Sequence, residues 1–261
     1  MNIAVLIKQV PVSNDVSVDP KTHALVRSSS EGMINPADLN AIETAMTIKE
    51  ETEGKVVVFT MGPPEAEKAL REAMAMGCDE SCLITDRCLA GGDTIATAKV
   101  LAKSIEKYGD FELVLSGALS TDGATGQVGA MVAEYLNIPH VSEVNKAEYR
   151  QDIMKFEKRY QDQDIRLECE APVAVSVCFG SNQPRLATLR TTRAAKSKPL
   201  TVYTNVELGM AESEIGLVGS PTEVIDSFEP EHKRRAVMLE GSLKEIVSQI
   251  ESLIEQEKGK N

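Results

Sequence analysis

Short apolar runs alternate with segments of helical periodicity through the first half of this chain, and few architectures satisfy that alternation. Residues 3–7 (IAVLI), 56–60 (VVVFT), 81–85 (SCLIT) and 112–116 (ELVLS) read as strands. Residues 36–51, 64–76, 93–108 and 127–137 read as helices that separate or follow them. Apolar runs that lack period-two alternation suit strands buried on both faces. Strand–helix repetition implies βαβ units with right-handed crossovers. The expectation is an α/β fold built on a doubly wound, mostly parallel sheet. Helix 127–137 should bury Val128, Met131, Val132, Tyr135 and Leu136, which recur at helical spacing.

The pattern changes after about residue 143. Residues 144–180 alternate polar and apolar positions, which predicts an antiparallel excursion returning through a buried strand, Val173 to Val177. Residues 181–199 read as an exposed loop, and the charged stretch 203–235 as an extended arm. A last helix is predicted over 242–257, opened by a capping box of Ser242 and Glu245. Its apolar stripe is Leu243, Ile246, Val247, Ile250, Leu253 and Ile254. The stripe can bury on a partner chain or on its own sheet. The expected division is an α/β domain over 1–202, with the excursion 144–180 and the loop 182–199 inside it, and a C-terminal arm and helix over 203–261.

Composition narrows the function classes. A chain of 261 residues with 42% hydrophobic content can build a sizeable core. No apolar run reaches the roughly 18 residues that span a bilayer, so no membrane insertion is expected. MNIAVLIKQVP reads as a first strand rather than a signal peptide, which points to a cytoplasmic protein. A net charge of −12 repels phosphate and argues against nucleic acid as a partner. Cys78, Cys82 and Cys88 lie close together but match no zinc or ferredoxin spacing, and read as small buried thiols. His23, His140 and His232 are scattered. With 4% aromatic residues and no Trp, a site that stacks a flat ring mainly on aromatic side chains is disfavoured.

The candidate site lies at FELVLSGALSTDGATGQVG, residues 111–129. A strand runs into Ser116-Gly117, and a polar, glycine-rich turn leads on to a helix. Glycine permits close approach of backbone to phosphate, and a helix N-terminus presents unpaired N–H groups to an anion. The turn is neither a Walker loop nor G-x-G-x-x-G, and a glycine turn before a helix can be plain chain reversal. Three strand-to-helix turns, near residues 8, 61 and 117, should converge on one edge of the sheet, as a nucleotide crevice requires. Asn35-Pro36-Ala37-Asp38 is explained by helix capping alone, or by a helix start facing that crevice. Between Ala171 and Val206 the charged residues are Arg185, Arg190, Arg193, Lys196 and Lys198, with no acid among them. That run is a solvated basic face, a docking segment or a grip on cofactor phosphates. No G-x-S-x-G elbow, Cys–His pair or H-E-x-x-H is present, so any redox chemistry belongs to a bound cofactor.

Several stretches in order resemble the small (beta) subunit of electron-transfer flavoproteins over roughly residues 1–200. They are Val5-Leu6-Ile7-Lys8-Gln9-Val10-Pro11, then Asp19-Pro20 with Arg27, then Ile34-Asn35-Pro36-x-Asp38. Gly62-Pro63-Pro64 and Ala73-Met74-Ala75-Met76-Gly77-Cys78-Asp79 follow. Asp122-Gly123-x-Thr125-x-Gln127-Val128-Gly129 and Asn182-Gln183-Pro184-Arg185 complete the set. The resemblance implies a doubly wound sheet of the adenine-nucleotide-binding type and a larger alpha subunit as partner. It also implies a nucleotide site, which holds AMP in the simple carriers and FAD in the electron-bifurcating type. Gly123, Ala124, Thr125 and Gly126 are all small, which leaves room for a flavin, and the turn is most similar to the bifurcating pattern. FAD is therefore expected, with AMP as the alternative. A free-standing nucleotide-binding module of the same sheet class is a further alternative.

By the resemblance, Gly117, Asp122, Gly123, Ala124, Thr125, Gly126, Gln127, Val128 and Gly129 would meet the cofactor's pyrophosphate and ribose. Leu6, Lys8, Asn35, Asp38, Thr60, Met61 and Gly62 would line the rest. NADH would give a hydride to the FAD. One electron would go to ferredoxin or flavodoxin, and the other through the alpha-subunit FAD to an acyl-CoA dehydrogenase- or reductase-like partner. Arg185, Leu189, Arg190 and Arg193 would meet that partner. In this segment the chain departs from the family, with Leu186 after Arg185 and Thr191-Thr192-Arg193 in place of an apolar stretch.

Overall fold

The computed structural model describes residues 1–12, 17–18, 25–26, 32–151, 153–225 and 238–258. His23, the Asp19-Pro20 and Arg27 elements and His232 lie outside them. In chain order the first elements are β1 (Asn2–Leu6), β2 (Gln9–Pro11), β3 (Ser17–Val18), β4 (Leu25–Val26), β5 (Gly32–Ile34) and α1 (Pro36–Thr52). Next come β6 (Lys55–Met61), α2 (Glu67–Met76), β7 (Glu80–Ile84), α3 (Thr94–Tyr108), β8 (Leu113–Gly117) and α4 (Val128–Tyr135). β9 (His140–Val144), β10 (Lys146–Arg150), β11 (Ile153–Tyr160), β12 (Gln163–Cys169) and β13 (Val173–Val177) follow. The chain continues through α5 (Leu189–Ser197), β14 (Thr201–Tyr203), α6 (Asn205–Leu208) and α7 (Leu243–Lys258).

The main sheet has seven strands in the order β14-β7-β6-β1-β8-β13-β9. Every pairing in it is parallel. Alternate residues of each strand feed two cores. Ile3, Val5, Val56, Val58, Leu113 and Leu115 pack with α1 and α2. Ala4, Leu6, Val57, Phe59, Cys82 and Ile84 pack with α3 and α4. Burial on both faces is why these strands are continuous apolar runs in the sequence. After β1 the chain moves outward through β6 and β7, then returns to the other side of β1 as β8. The winding direction reverses between β1 and β8, which is where open sheets of this kind form a crevice.

β10, β11 and β12 form the expected antiparallel excursion, a separate three-stranded sheet whose Met154 and Phe156 are buried in the first core. Five expectations are corrected. β9 was not foreseen, because its sequence HVSEV is largely polar and only Val144 is buried. The segment 181–199 is not a plain loop. It contains α5, which packs on α2, buries Ala195 and is opened by a capping box of Thr188 and Thr191. Arg71 of α2 donates to the Ala195 carbonyl at 3.0 Å and to that of Lys198, tying down the helix end. On α4, Val132 and Ala133 are buried, whereas Tyr135 is exposed beneath the Lys99 ammonium.

The fourth correction concerns the start of the arm. The first compact unit runs from Met1 to Ile225, so 203–225 belongs with the sheet. Leu208 and Ile215 enter the second core there. The second unit, Asp226–Asn261, carries α7. Of the expected capping box the half made by Glu245 is seen, its Oε2 accepting from the Ser242 amide and hydroxyl, both at 2.7 Å. Leu243, Val247, Ile250, Leu253 and Ile254 are exposed. No helix of the described residues is long and apolar enough to cross a membrane. Cys78 and Cys82 are buried as expected, but Cys88 is exposed.

Candidate functional site

Where the winding reverses, the ends of β1 and β8 are fastened to the start of α1 by one carboxylate. Pro36 is pre-set for the first helical turn, and Asp38 follows inside that turn. Asp38 Oδ2 accepts from the Lys8 amide at 2.7 Å, just past β1. Asp38 Oδ1 accepts from the Gly117 amide at 3.0 Å, the last residue of β8. Asn35 donates to the same Oδ1 at 3.0 Å and to the Leu119 carbonyl at 3.1 Å, and it accepts from the Thr121 amide at 3.1 Å. Burial pushes the Asp38 carboxyl up, to about 7, against these donors and the nearby Lys8 charge. Asn35 and Asp38 are both buried, so they form the floor of the crevice rather than its lining. Asn35 caps no amide of α1 with its side chain. Its work is to hold the turn.

Above that floor, the Lys8 ammonium sits 2.7 Å from Asp122 Oδ1 and 3.5 Å from Ser120 Oγ. Burial works against the Asp122 charge, but Lys8, Ser120 and the Gly123 amide hold its carboxyl below the usual range. Residues 123–127 are exposed. Ala124 at φ 47° and Gly126 at φ 63° turn the backbone through the left-handed region. At Gly126 an added Cβ would also stand 3.2 Å from the Ala118 carbonyl oxygen. α4 begins at once after Gln127, with Val128 and Gly129 in its first turn.

The other sequence candidates divide. Thr60 is buried and spends its hydroxyl on the Ile7 carbonyl at 2.9 Å, and Leu6 is buried in the second core. Both support the crevice from inside the sheet. Met61 and Gly62 are half-buried at the end of β6, where the Gly62 amide donates to the Ile84 carbonyl at 3.0 Å. Arg185 is committed within the chain. Its guanidinium contacts both Glu43 oxygens at 2.9 Å and Glu50 at 2.6 Å. Leu189, Arg190 and Arg193 are exposed on α5, and Leu186 and Phe179 are exposed nearby.

Three features escaped the sequence reading. Asn40 of α1 donates to Asn182 Oδ1 at 2.8 Å, and Asn182 donates back to the Asn40 carbonyl at 3.0 Å, so Asn182-Gln183-Pro184-Arg185 is pinned to α1. The signal was present, since Asn40, Glu43, Thr44 and Glu50 recur on one helix face, but nothing local named their partners. Thr94 at the start of α3 donates to Gln127 Oε1 at 3.1 Å. His140 carries a buried Nε2 with no hydrogen-bond partner among the described residues, and burial keeps its imidazole below the usual value.

The arrangement tolerates little change at Gly117. A Cβ there would lie 2.3 Å from Asp38 Oδ1 and 2.8 Å from the backbone carbon of Ala37. The contact with Ala37 is to backbone, which cannot rotate away.

Fold and site together define a doubly wound α/β protein with a small-residue, polar turn at its switch point. The electron transfer flavoprotein domain model matches residues 22–208. The chain is 43% identical to the electron transfer flavoprotein subunit beta of Thermoanaerobacterium thermosaccharolyticum, over 96% of each chain. It is 37% identical to the caffeyl-CoA reductase-Etf complex subunit CarD of Acetobacterium woodii, over 93% of each. It is 38% identical to the acryloyl-CoA reductase electron transfer subunit gamma of Anaerotignum propionicum, over 96% of each. The chain belongs to the electron transfer flavoprotein family.

Proposed function

We propose that this chain is the small subunit of a heterodimeric electron transfer flavoprotein and holds FAD at the 117–129 turn. In this reading NADH is the hydride donor. The electrons are divided between ferredoxin or flavodoxin and, through a flavin in the larger alpha subunit, an acyl-CoA dehydrogenase- or reductase-like enzyme. The reading rests first on the exposed, small-residue turn 123–127, set between β1 and β8 and beside Lys8. Ligands of open α/β sheets bind at such a reversal. Relatives whose names place them in caffeyl-CoA and acryloyl-CoA reductase systems support the acyl-CoA side.

The residues fit a dinucleotide. Gly126 keeps the turn open, and the first turn of α4 offers its amides and dipole to a pyrophosphate. The Lys8 ammonium supplies the positive charge, and an entering phosphate competes with Asp122 for it. Asp38 and Asn35 hold the two strand ends at a fixed separation. Bound FAD supplies the ability to take electrons as a pair and pass them on singly. On the outer surface, Leu186 and Leu189 provide apolar anchors and Arg190 and Arg193 steer an acidic partner. The exposed stripe of α7 packs on the alpha subunit.

Gly126→Leu tests the placement. A Leu at φ 63° carries a left-handed cost of roughly 1–2 kcal/mol and fills the space the cofactor needs. The variant should keep its secondary structure by circular dichroism and lose its flavin. A folded variant with full flavin content would put the cofactor elsewhere.

A further inference from the structure

The link between Thr94 and Gln127 continues beyond the crevice. Asp93 caps α3, its Oδ1 accepting from the Ile95 and Ala96 amides, each at 3.0 Å. Its second oxygen turns the other way. Asp93 Oδ2 accepts from the Thr222 hydroxyl at 2.8 Å and the Thr222 amide at 3.2 Å. The Asp93 amide donates to Ser220 Oγ at 2.8 Å, and that hydroxyl donates to the Gly216 carbonyl at 2.7 Å. The loop before Asp93 is laced to the same region by the Leu217 amide on the Ala90 carbonyl at 3.1 Å, and to the start of α6 by the Asn205 amide on Asp86 Oδ2 at 3.1 Å. Two consecutive residues therefore join the 123–127 turn to 216–222, close to the end of the first unit at Ile225.

We propose that Asp93 is a positioning residue that couples nucleotide occupancy of the 123–127 turn to the seating of residues 216–222. This rests on the nucleotide-site reading above. A ligand that fixes Gln127 fixes the Thr94 hydroxyl it receives. Thr94 and Asp93 share one peptide in a capped helix start, so the carboxylate moves with them. One of its oxygens is committed to α3 and the other to Thr222, and a shift of that start changes one set of bonds or the other. Binding at the turn then orders 216–222. By linkage, correct seating of 216–222 tightens binding at the turn by the same factor.

Hydrogen–deuterium exchange of the full-length chain with and without FAD tests this, using AMP as a second probe. In the unmodified protein FAD should slow exchange in both 123–129 and 216–222, by about fivefold or more in the latter. Asp93→Asn keeps a good helix cap but turns an amide donor toward the Thr222 N–H. Its 123–129 segment should still be protected by FAD, while 216–222 should not respond. Thr222→Val, which removes only the hydroxyl, should give a weaker form of the same uncoupling. Protection confined to 123–129 in the unmodified protein would overturn the coupling, as would full protection of both segments in Asp93→Asn. Absence of protection at 123–129 with either nucleotide would overturn the site reading and the coupling with it.

Discussion

Asp38→Asn should lower the stability of the folded chain by about 1–3 kcal/mol, although the side chains are the same size. Each Asp38 oxygen now faces N–H donors, Lys8 on one side and Gly117 with Asn35 on the other. An amide must turn its own NH2 toward one side, which leaves a buried donor against a donor. Asn35 cannot compensate by turning over, because its oxygen already accepts from Thr121. The loss also depends on pH. The folded pKa of Asp38, about 7, lies above its unfolded value near 3.8, so the folded state holds the proton more tightly. That contribution is fully present below the unfolded value and is lost as pH rises through about 7. The stability gap between unmodified protein and variant should therefore widen as pH falls from about 7 toward 4. Urea unfolding across that range measures it. A gap that is flat, or that narrows on acidification, would show that burial does not govern this carboxyl.

Gly117→Ala should cost as much or more, about 2–3 kcal/mol, the upper part of the range for overpacking a filled site. The new methyl meets Asp38 Oδ1 and the backbone of Ala37, so either α1 or the end of β8 must shift. Both movements break the Gly117–Asp38 hydrogen bond and widen the crevice floor. For a chain of this size the melting temperature should fall by roughly 5–10 °C. Nucleotide affinity should fall with it, because the turn hangs on the same strand end. Unchanged melting would mean that the floor is compliant and that Asp38 does not fix the spacing of β1 and β8.

Much of this scaffold is legible in the sequence because local and global signals agree. Val56–Phe59 and Leu113–Leu115 are apolar without interruption because they are buried on both faces. Pro36 and Ser242 mark helix starts by local chemistry alone. α5 was hidden for the opposite reason. LRTTRAAKS offers almost no apolar stripe, and its helix depends on Ala195 packing against α2 and on Arg71 closing its end. β9 is polar because it is an edge strand. The seating of 203–225 rests on two buried apolar side chains, Leu208 and Ile215, too few for a periodic pattern, and on hydrogen bonds to residues far back in the sequence.

The candidate site shows the same division. The turn 122–129 could be read locally, since glycine and small residues announce an open backbone. The functions of Asn35 and Asp38 could not. Helix capping explains both in isolation, and their buried bonds to Lys8, Gly117, Leu119 and Thr121 span up to 86 residues of chain. The ion pairs of Arg185 are hidden from the sequence for a related reason. A basic residue in an acid-free stretch looks available, but its partners Glu43 and Glu50 lie on α1, far back in the sequence.

Counting nucleotides decides whether the crevice between β1 and β8 holds a flavin. The chain is purified with its larger partner subunit, the complex is denatured, and the released cofactors are quantified by absorbance and mass spectrometry. Two FAD are expected for each pair of subunits. One FAD together with one AMP would contradict that expectation and leave this chain a carrier subunit with a structural nucleotide.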